Sequence, residues 1–212
     1  MTEMWLLSLS VFVIAYLLGS IPFGYIVGRL KGIDVRQHGS GNIGATNVLR
    51  VVGKGWGLAV FAVDALKGFW AVRIALWLVT RTPEAGHYAE FFAIFAAAVC
   101  VAGHSYPIWL RFKGGKGVAT AAGAIFGIMP IAGITIFAVW LVTFLTTRYV
   151  AVASIAGALA LPVTVAILLR LHMTQGIVLF YFSVLMSALV VWRHRSNIAR
   201  LRDGTEHRFK RS

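Results

Sequence analysis

The chain has 212 residues, 59% of them hydrophobic and only 13% charged, with a mean hydropathy of +0.81, which excludes an ordinary soluble domain. A single cysteine, Cys100 in an apolar run, excludes a disulfide framework and thiolate metal sites and reads as a buried small hydrophobe. The net charge of +13 fits positive-inside bias and attraction to anionic lipid headgroups; no segment resembles a nucleic-acid module, so no nucleic-acid partner is expected.

The N-terminus, "MTEMWLLSLS", carries Glu3 where a signal peptide has positive charge, so the first apolar span, 5–27, is expected to be retained. A basic loop follows, "RLKGIDVRQHGSGNIGATNVLRVVGKG". It contains G-x-G-x-x-G in Gly39, Gly41 and Gly44, with Asp64 at the ~20-residue distance of a dinucleotide fingerprint. That fingerprint needs a strand before it and a helix after it in a soluble α/β unit. Here apolar spans flank the glycines and Asp64 lies inside the second span, 55–80, so the dinucleotide reading fails. Within that span Asp64 and Lys67 stand three residues apart on one helical face, the spacing of an internal ion pair. Arg73 is placed to snorkel to the outer interface.

A third span, 88–110, leads to a second basic turn, "RFKGGKG". The stretch 118–147 is too long for one comfortable crossing and is interrupted at Pro130 in "GIMPIAG". Spans 151–169 and 176–192 precede the tail "RHRSNIARLRDGTEHRFKRS". If 118–147 crossed once, the tail would fall opposite both basic loops. Folded as two short helices turning near Met129 and Pro130, it gathers Arg29, Lys31, Arg36, Arg50, Lys54, Arg111, Lys113, Lys116, Arg148 and the tail on one side. Arg81 and Arg170 are left on the other, and the positive-inside rule selects this arrangement. The expected fold is all-α, a polytopic membrane helix bundle of seven transmembrane helices with short fourth and fifth helices. It forms a single membrane-embedded domain over 1–212, with the N-terminus outside and the C-terminus in the cytoplasm.

Three segments on the basic side carry the chemistry. In "GSGNIGATNVLR" the glycines Gly39, Gly41 and Gly44 let backbone N–H groups converge on an anion. Ser40, Asn42, Thr46 and Asn47 add short polar donors, and Arg50 a cationic fork. In "GHSYPIWLRFKGGKGVAT" the glycines Gly114, Gly115 and Gly117 surround Lys116, and a helix from Val118 would aim its N-terminal amides at a phosphate there. A plainer reading of this segment is a basic interfacial turn, with His104 and Tyr106 as membrane-boundary anchors. In "HRSNIARLRDGTEHRF" a helix would place His194, Asn197 and Leu201 on one face, while Gly204 argues for a break before Glu206. No acidic metal cluster, H-E-x-x-H or G-x-S-x-G occurs, so neither metal nor cofactor is expected.

Over the whole chain these three segments resemble the cytoplasmic motifs of the bacterial acyl-phosphate:glycerol-3-phosphate acyltransferases, small integral membrane enzymes that open phospholipid synthesis. The resemblance implies transfer of a fatty acyl group from acyl phosphate to the first hydroxyl of glycerol 3-phosphate, giving lysophosphatidic acid and phosphate. It implies catalytic roles for Ser40, Arg50, Lys116, His194 and Asn197, a structural role for Glu206, and a further polar position near the site at Ser154. It also implies a multi-pass protein of the bacterial inner membrane with its motifs at the cytoplasmic face, and the chain is expected to act as a monomer among membrane lipids. The other glycerol-phosphate acyltransferase superfamily uses a histidine followed five residues later by aspartate. Here those positions hold Ile43, Phe92, Trp109, Ile177, Ala199 and Ser212, which excludes it.

The chemistry suits the residues. An acyl phosphate already carries a good leaving group, so holding two anions in attack geometry supplies much of the rate. Amide, Arg and Lys donors stabilise charge on the transferring group. A transporter or flippase for a phosphorylated solute would also need anion cradles and broken helices. It should show a midplane polar route or internal repeats, and the sequence shows neither.

Overall fold

The computed structural model describes residues 2–174 and 176–209, and among them there is no strand. Ten α-helices run in chain order: α1 Thr2–Ser20, α2 Phe23–Leu30, α3 Ala45–Val51, α4 Lys54–Thr80, α5 Ala89–Ser105, α6 Val118–Ile128, α7 Pro130–Thr147, α8 Val150–Arg170, α9 Ile177–Arg193 and α10 Arg195–Arg202. Four segments are long and apolar enough to cross a bilayer, Thr2–Leu30, Pro83–Leu110, Pro130–Thr147 and Val150–Arg170. The pair α9 and α10, bent by 52°, makes a fifth. α4 is long enough at 27 residues but carries Asp64, Lys67 and Arg73. α6, at 11 residues, extends only about 16 Å at ~1.5 Å per residue, short of the ~30 Å hydrocarbon core.

Two of the sequence-derived spans contain proline breaks. The interruption near Pro130 is present: α6 ends at Ile128 and Pro130 opens α7 as its first residue, where a missing N–H costs nothing. The span expected to run unbroken over 5–27 is instead split between Ser20 and Phe23. Pro22 there has no N–H to donate and disfavours helical geometry at Ile21.

The chain divides into two compact units, Met1–Ile128 and Met129–Ser212. In the first, α4 packs on α1, α3, α5 and α6, and α1 packs on α5. Membrane helices lack a hydrophobic drive to associate, so close backbone approach over small residues matters. The α4–α6 pair uses it reciprocally: a β-carbon on Gly68 would strike the Thr120 carbonyl, and one on Gly123 the Ala65 carbonyl. One apolar cluster joins Leu7, Val11 and Ala15 of α1 to Ala71, Ala75 and Val79 of α4 and to Phe92, Ala96 and Cys100 of α5. Cys100 is fully buried and its thiol lies 3.7 Å from the Lys67 carbonyl, the small-hydrophobe role its apolar run suggests.

In the second unit α8 packs between α7 and α9. The α7 aromatics Phe137, Trp140 and Phe144 stack in series, and Phe209 of the tail meets Phe144 edge-on. Tail backbone completes the contact, with the Phe209 N–H donating to the Arg148 carbonyl at 3.0 Å.

Candidate active site

The first glycine segment lies between α2 and α3 and rests on its own apolar floor. Val35, Ile43 and Val48 cluster with Val60 of α4 and with Leu110, which immediately precedes the second segment. The two glycine segments are thus tied to one buried cluster within the first unit. Above that floor, Gly39 and Gly41 adopt φ of +61° and +69°, turning the chain so that the Ser40 N–H points back at Asn47. Asn47, 1% exposed, organises the loop. Its Oδ1 accepts from the Ser40 N–H at 2.9 Å, and its Nδ2 donates to the carbonyls of Val35 and His38 at 2.8 and 3.1 Å. Asn42 works likewise, its Oδ1 accepting from the Gly44 N–H at 2.8 Å just before α3. Both were expected from the sequence as ligand donors; the loop engages the whole amide of Asn47 and the oxygen of Asn42. Ser40 stays exposed, and Thr46 and Arg50 are half-buried on α3.

The neighbouring turn is fixed by charge. Arg36 forks Asp34 at 2.9 and 2.7 Å and lies over the Tyr25 ring at 4.6 Å. The Arg36 guanidinium pulls the Asp34 carboxyl down to about 2.

The second segment is built on the end of α5. Gly114 and Gly115 donate their N–H groups to the carbonyls of Ser105 and His104, both at 3.1 Å. Gly117, at φ +78°, accepts from Ala121 at 2.7 Å and starts α6. A β-carbon on Gly114 would strike the His104 carbonyl, and one on Gly115 the His104 Nε2. Lys116 is half-buried between them.

His104 corrects the interfacial-anchor expectation. It is 5% exposed and sits against the ion pair of α4, where Lys67 Nζ meets Asp64 Oδ1 at 2.8 Å and His104 Nδ1 at 2.9 Å. The Asp64–Lys67 pair was legible from spacing. His104, 37 positions from Lys67, was not, because only the packing of α4 on α5 brings it there. Tyr106 is exposed, and its carbonyl accepts from the Tyr16 hydroxyl at 2.9 Å.

The third segment belongs to the second unit. His194 is the hinge residue between α9 and α10 and is 4% exposed. Its Nδ1 lies 2.8 Å from the Val190 carbonyl. A carbonyl only accepts, so Nδ1 carries a proton and donates it there. α10 ends at Arg202, and Gly204, at φ +69°, reverses the chain. Glu206 returns beneath α10, accepting from Asn197 Nδ2 at 2.8 Å and from Arg200 Nε at 2.7 Å. Ser154 is buried on α8, accepting from Trp140 Nε1 at 3.3 Å and donating to the Val150 carbonyl at 2.8 Å. Among the described residues no three His, Cys, Asp or Glu side chains gather as a metal site.

The sequence profile of a family described as glycerol-3-phosphate acyltransferase matches residues 9–204. A glycerol-3-phosphate acyltransferase of Desulforamulus reducens is 45% identical over 196 residues, 92% of each chain. One of Aquifex aeolicus is 41% identical over 209 residues, 95% of this chain and 99% of that one. The crystal structure of PlsY (YgiH), an integral membrane glycerol 3-phosphate acyltransferase, in its glycerol 3-phosphate form superposes with a TM-score of 0.85 at 40% identity, covering 96% of each chain. Its lysophosphatidic acid form gives 0.82. An all-helical chain with several membrane-length segments and matches spanning nearly its whole length belongs to the glycerol-3-phosphate acyltransferase family.

Proposed function

We propose that the protein transfers a fatty acyl group from acyl phosphate to the first hydroxyl of glycerol 3-phosphate, releasing lysophosphatidic acid and inorganic phosphate. The observation that carries this reading is family membership over residues 9–204, a range that contains all five residues assigned to catalysis. The hydroxyl oxygen attacks the acyl carbon, the bond from that carbon to the phosphate oxygen breaks, and the proton passes to the departing phosphate. Ser40 hydrogen-bonds the acyl donor, Arg50 and Lys116 neutralise phosphate oxygens, and His194 orients glycerol 3-phosphate. The hydrogen bond from His194 Nδ1 to the Val190 carbonyl supports that last role, since it fixes the orientation of the ring. Asn197, fixed by Glu206, supports the same segment.

Direct transfer through a ternary complex fits a good leaving group, which removes the main benefit of an acyl-enzyme. Purified protein in detergent, given acyl phosphate and glycerol 3-phosphate, should form lysophosphatidic acid; a transporter would form none. Radiolabelled acyl phosphate alone should leave no label on protein after a denaturing wash. Stoichiometric label on Ser40, chased by glycerol 3-phosphate, would establish the two-step route instead.

The proposed setting is the bacterial inner membrane, with seven crossings, the N-terminus outside and the basic segments in the cytoplasm, acting as a monomer. The distribution of basic residues supports it. Cysteine labelling in intact cells checks it. Ile131→Cys, exposed beside the Pro130 break, should react from outside, and Asp203→Cys, exposed after α10, only from within. Reaction of both from one side would break the topology.

A further inference from the structure

The ammonium of Lys67 donates to the Ile21 carbonyl at 3.1 Å, meets His104 Nδ1 at 2.9 Å and forms an ion pair with Asp64 Oδ1 at 2.8 Å. Lys67 and Asp64 are almost wholly buried, so the pair neutralises itself in a medium of low dielectric. An ammonium cannot accept a hydrogen bond. The His104 nitrogen facing it must therefore hold a lone pair, and the ring proton resides on Nε2. Asp64 does not displace this arrangement, because its Oδ1 stands 3.6 Å from His104 Nδ1, beyond hydrogen-bond distance. The protonated Nε2 is turned to the Gly115 backbone, so closely that only a glycine fits there. The same histidine's carbonyl accepts the Gly115 N–H at 3.1 Å. Ring and backbone of His104 together form the inner wall of the turn that carries Lys116 and opens α6.

We infer that His104 presents an Nε2–H donor to a phosphate group held at the second glycine turn, and that Lys67 and Asp64 are positioning residues that fix its tautomer. The inference rests on the reading of that turn as a phosphate cradle. Phosphoryl oxygen is the chemistry recognised, and both proposed substrates carry it. A donor that cannot accept suits a group that binds phosphate without taking a proton from the attacking hydroxyl.

The full chain, labelled with nitrogen-15 histidine and lysine and reconstituted in bilayers, gives the direct test. The His104 ring, assigned through its contact with the Lys67 ammonium, should show an unprotonated Nδ1 and a protonated Nε2. Glycerol 3-phosphate and a hydrolysis-resistant acyl phosphonate are then added separately. A shift of the Nε2–H signal with the first assigns the donor to the acceptor substrate's phosphate, and a shift with the second to the acyl donor's. A proton on Nδ1, or no response to either probe, overturns the inference.

Kinetics supply a second arm. His104→Phe keeps a ring without an N–H and should raise KM for one phosphate-bearing substrate roughly tenfold or more, the worth of a hydrogen bond to a charged group, with a smaller change in kcat. His104→Gln, which restores an N–H at similar reach, should recover most of that loss. An equal fall in kcat for both variants with KM unchanged would overturn the donor role. If the wild-type protein transferred no acyl group, the functional reading would fail while the tautomer and the phosphate-induced shift could still be read.

Discussion

Two buried histidines, His104 and His194, are supported in opposite ways. His104 Nδ1 faces an ammonium and accepts from it; His194 Nδ1 faces a carbonyl and donates to it. The first ring therefore keeps its proton on the outer nitrogen, and the second carries one on the inner nitrogen. Residue type alone did not set this difference. It follows from what each Nδ1 meets, in one case a charged side chain on a neighbouring helix and in the other the preceding turn of the same helix. The supports also differ in reach. His104 is held by a side chain of another helix, whereas the Val190 carbonyl that holds His194 belongs to the helix it ends.

That contrast can be broken most severely at Lys67. Lys67→Met leaves Asp64 buried without its counter-ion and should cost about 3–5 kcal/mol of stability, seen as a large drop in the melting temperature of the detergent-solubilised protein. The double variant Asp64→Leu, Lys67→Met removes both charges and should regain most of the melting temperature. If the double variant melts as low as the single, the ionic cluster is not what holds this region.

His194 should respond in rate rather than stability. His194→Asn retains a donor near the Val190 carbonyl but lacks the outer ring nitrogen, so kcat should fall on the order of a hundredfold with an unchanged melting curve. Glu206→Gln is milder. One amide oxygen can still receive Asn197, but an NH2 then faces the Arg200 Nε–H in place of the oxygen that accepted it. Stability should fall by about 1–3 kcal/mol, and turnover by a few-fold. A collapse of activity in Glu206→Gln would mean that the carboxylate charge itself takes part.

The smallest effect lies at the surface. The Asp34 carboxyl is depressed from 3.8 to about 2 by Arg36, so its contribution is present above the ordinary carboxylate range. It is lost as pH falls through 2. In an acid titration, any stability difference between wild type and Asp34→Asn should be constant above the carboxylate range and shrink only as pH falls through this window; a difference that does not change there would contradict the pair.

Much of this was legible along the chain. The apolar runs, the Pro130 break and the Asp64–Lys67 pair all follow from local spacing, and the three glycine or basic segments stood out by composition. Pro22 was equally visible, but its run is so apolar that it reads as unbroken until the Ile21 carbonyl at the break is seen to receive Lys67. Asn42 and Asn47 show the limit from the other side. An asparagine beside glycines suits a ligand and a loop equally well, and only three-dimensional neighbours show that both amides serve the loop. His104 was hidden because a contact across 37 positions leaves no trace in periodicity.

The three partners around Lys67 also constrain how the protein is made. An ionised side chain at the centre of a bilayer costs about 2.5–3.5 kcal/mol when a helix enters alone, and α4 holds Asp64 and Lys67 buried and carries Arg73 exposed. Emerging from the ribosome, the chain offers the Ile21 carbonyl before α4 and His104 only after it. Asp64 can neutralise Lys67 as soon as α4 coils, but the contact with His104 cannot form until α5 arrives. The insertion machinery is therefore expected to retain α4 until α5 joins it, and to release the two into lipid as a hairpin.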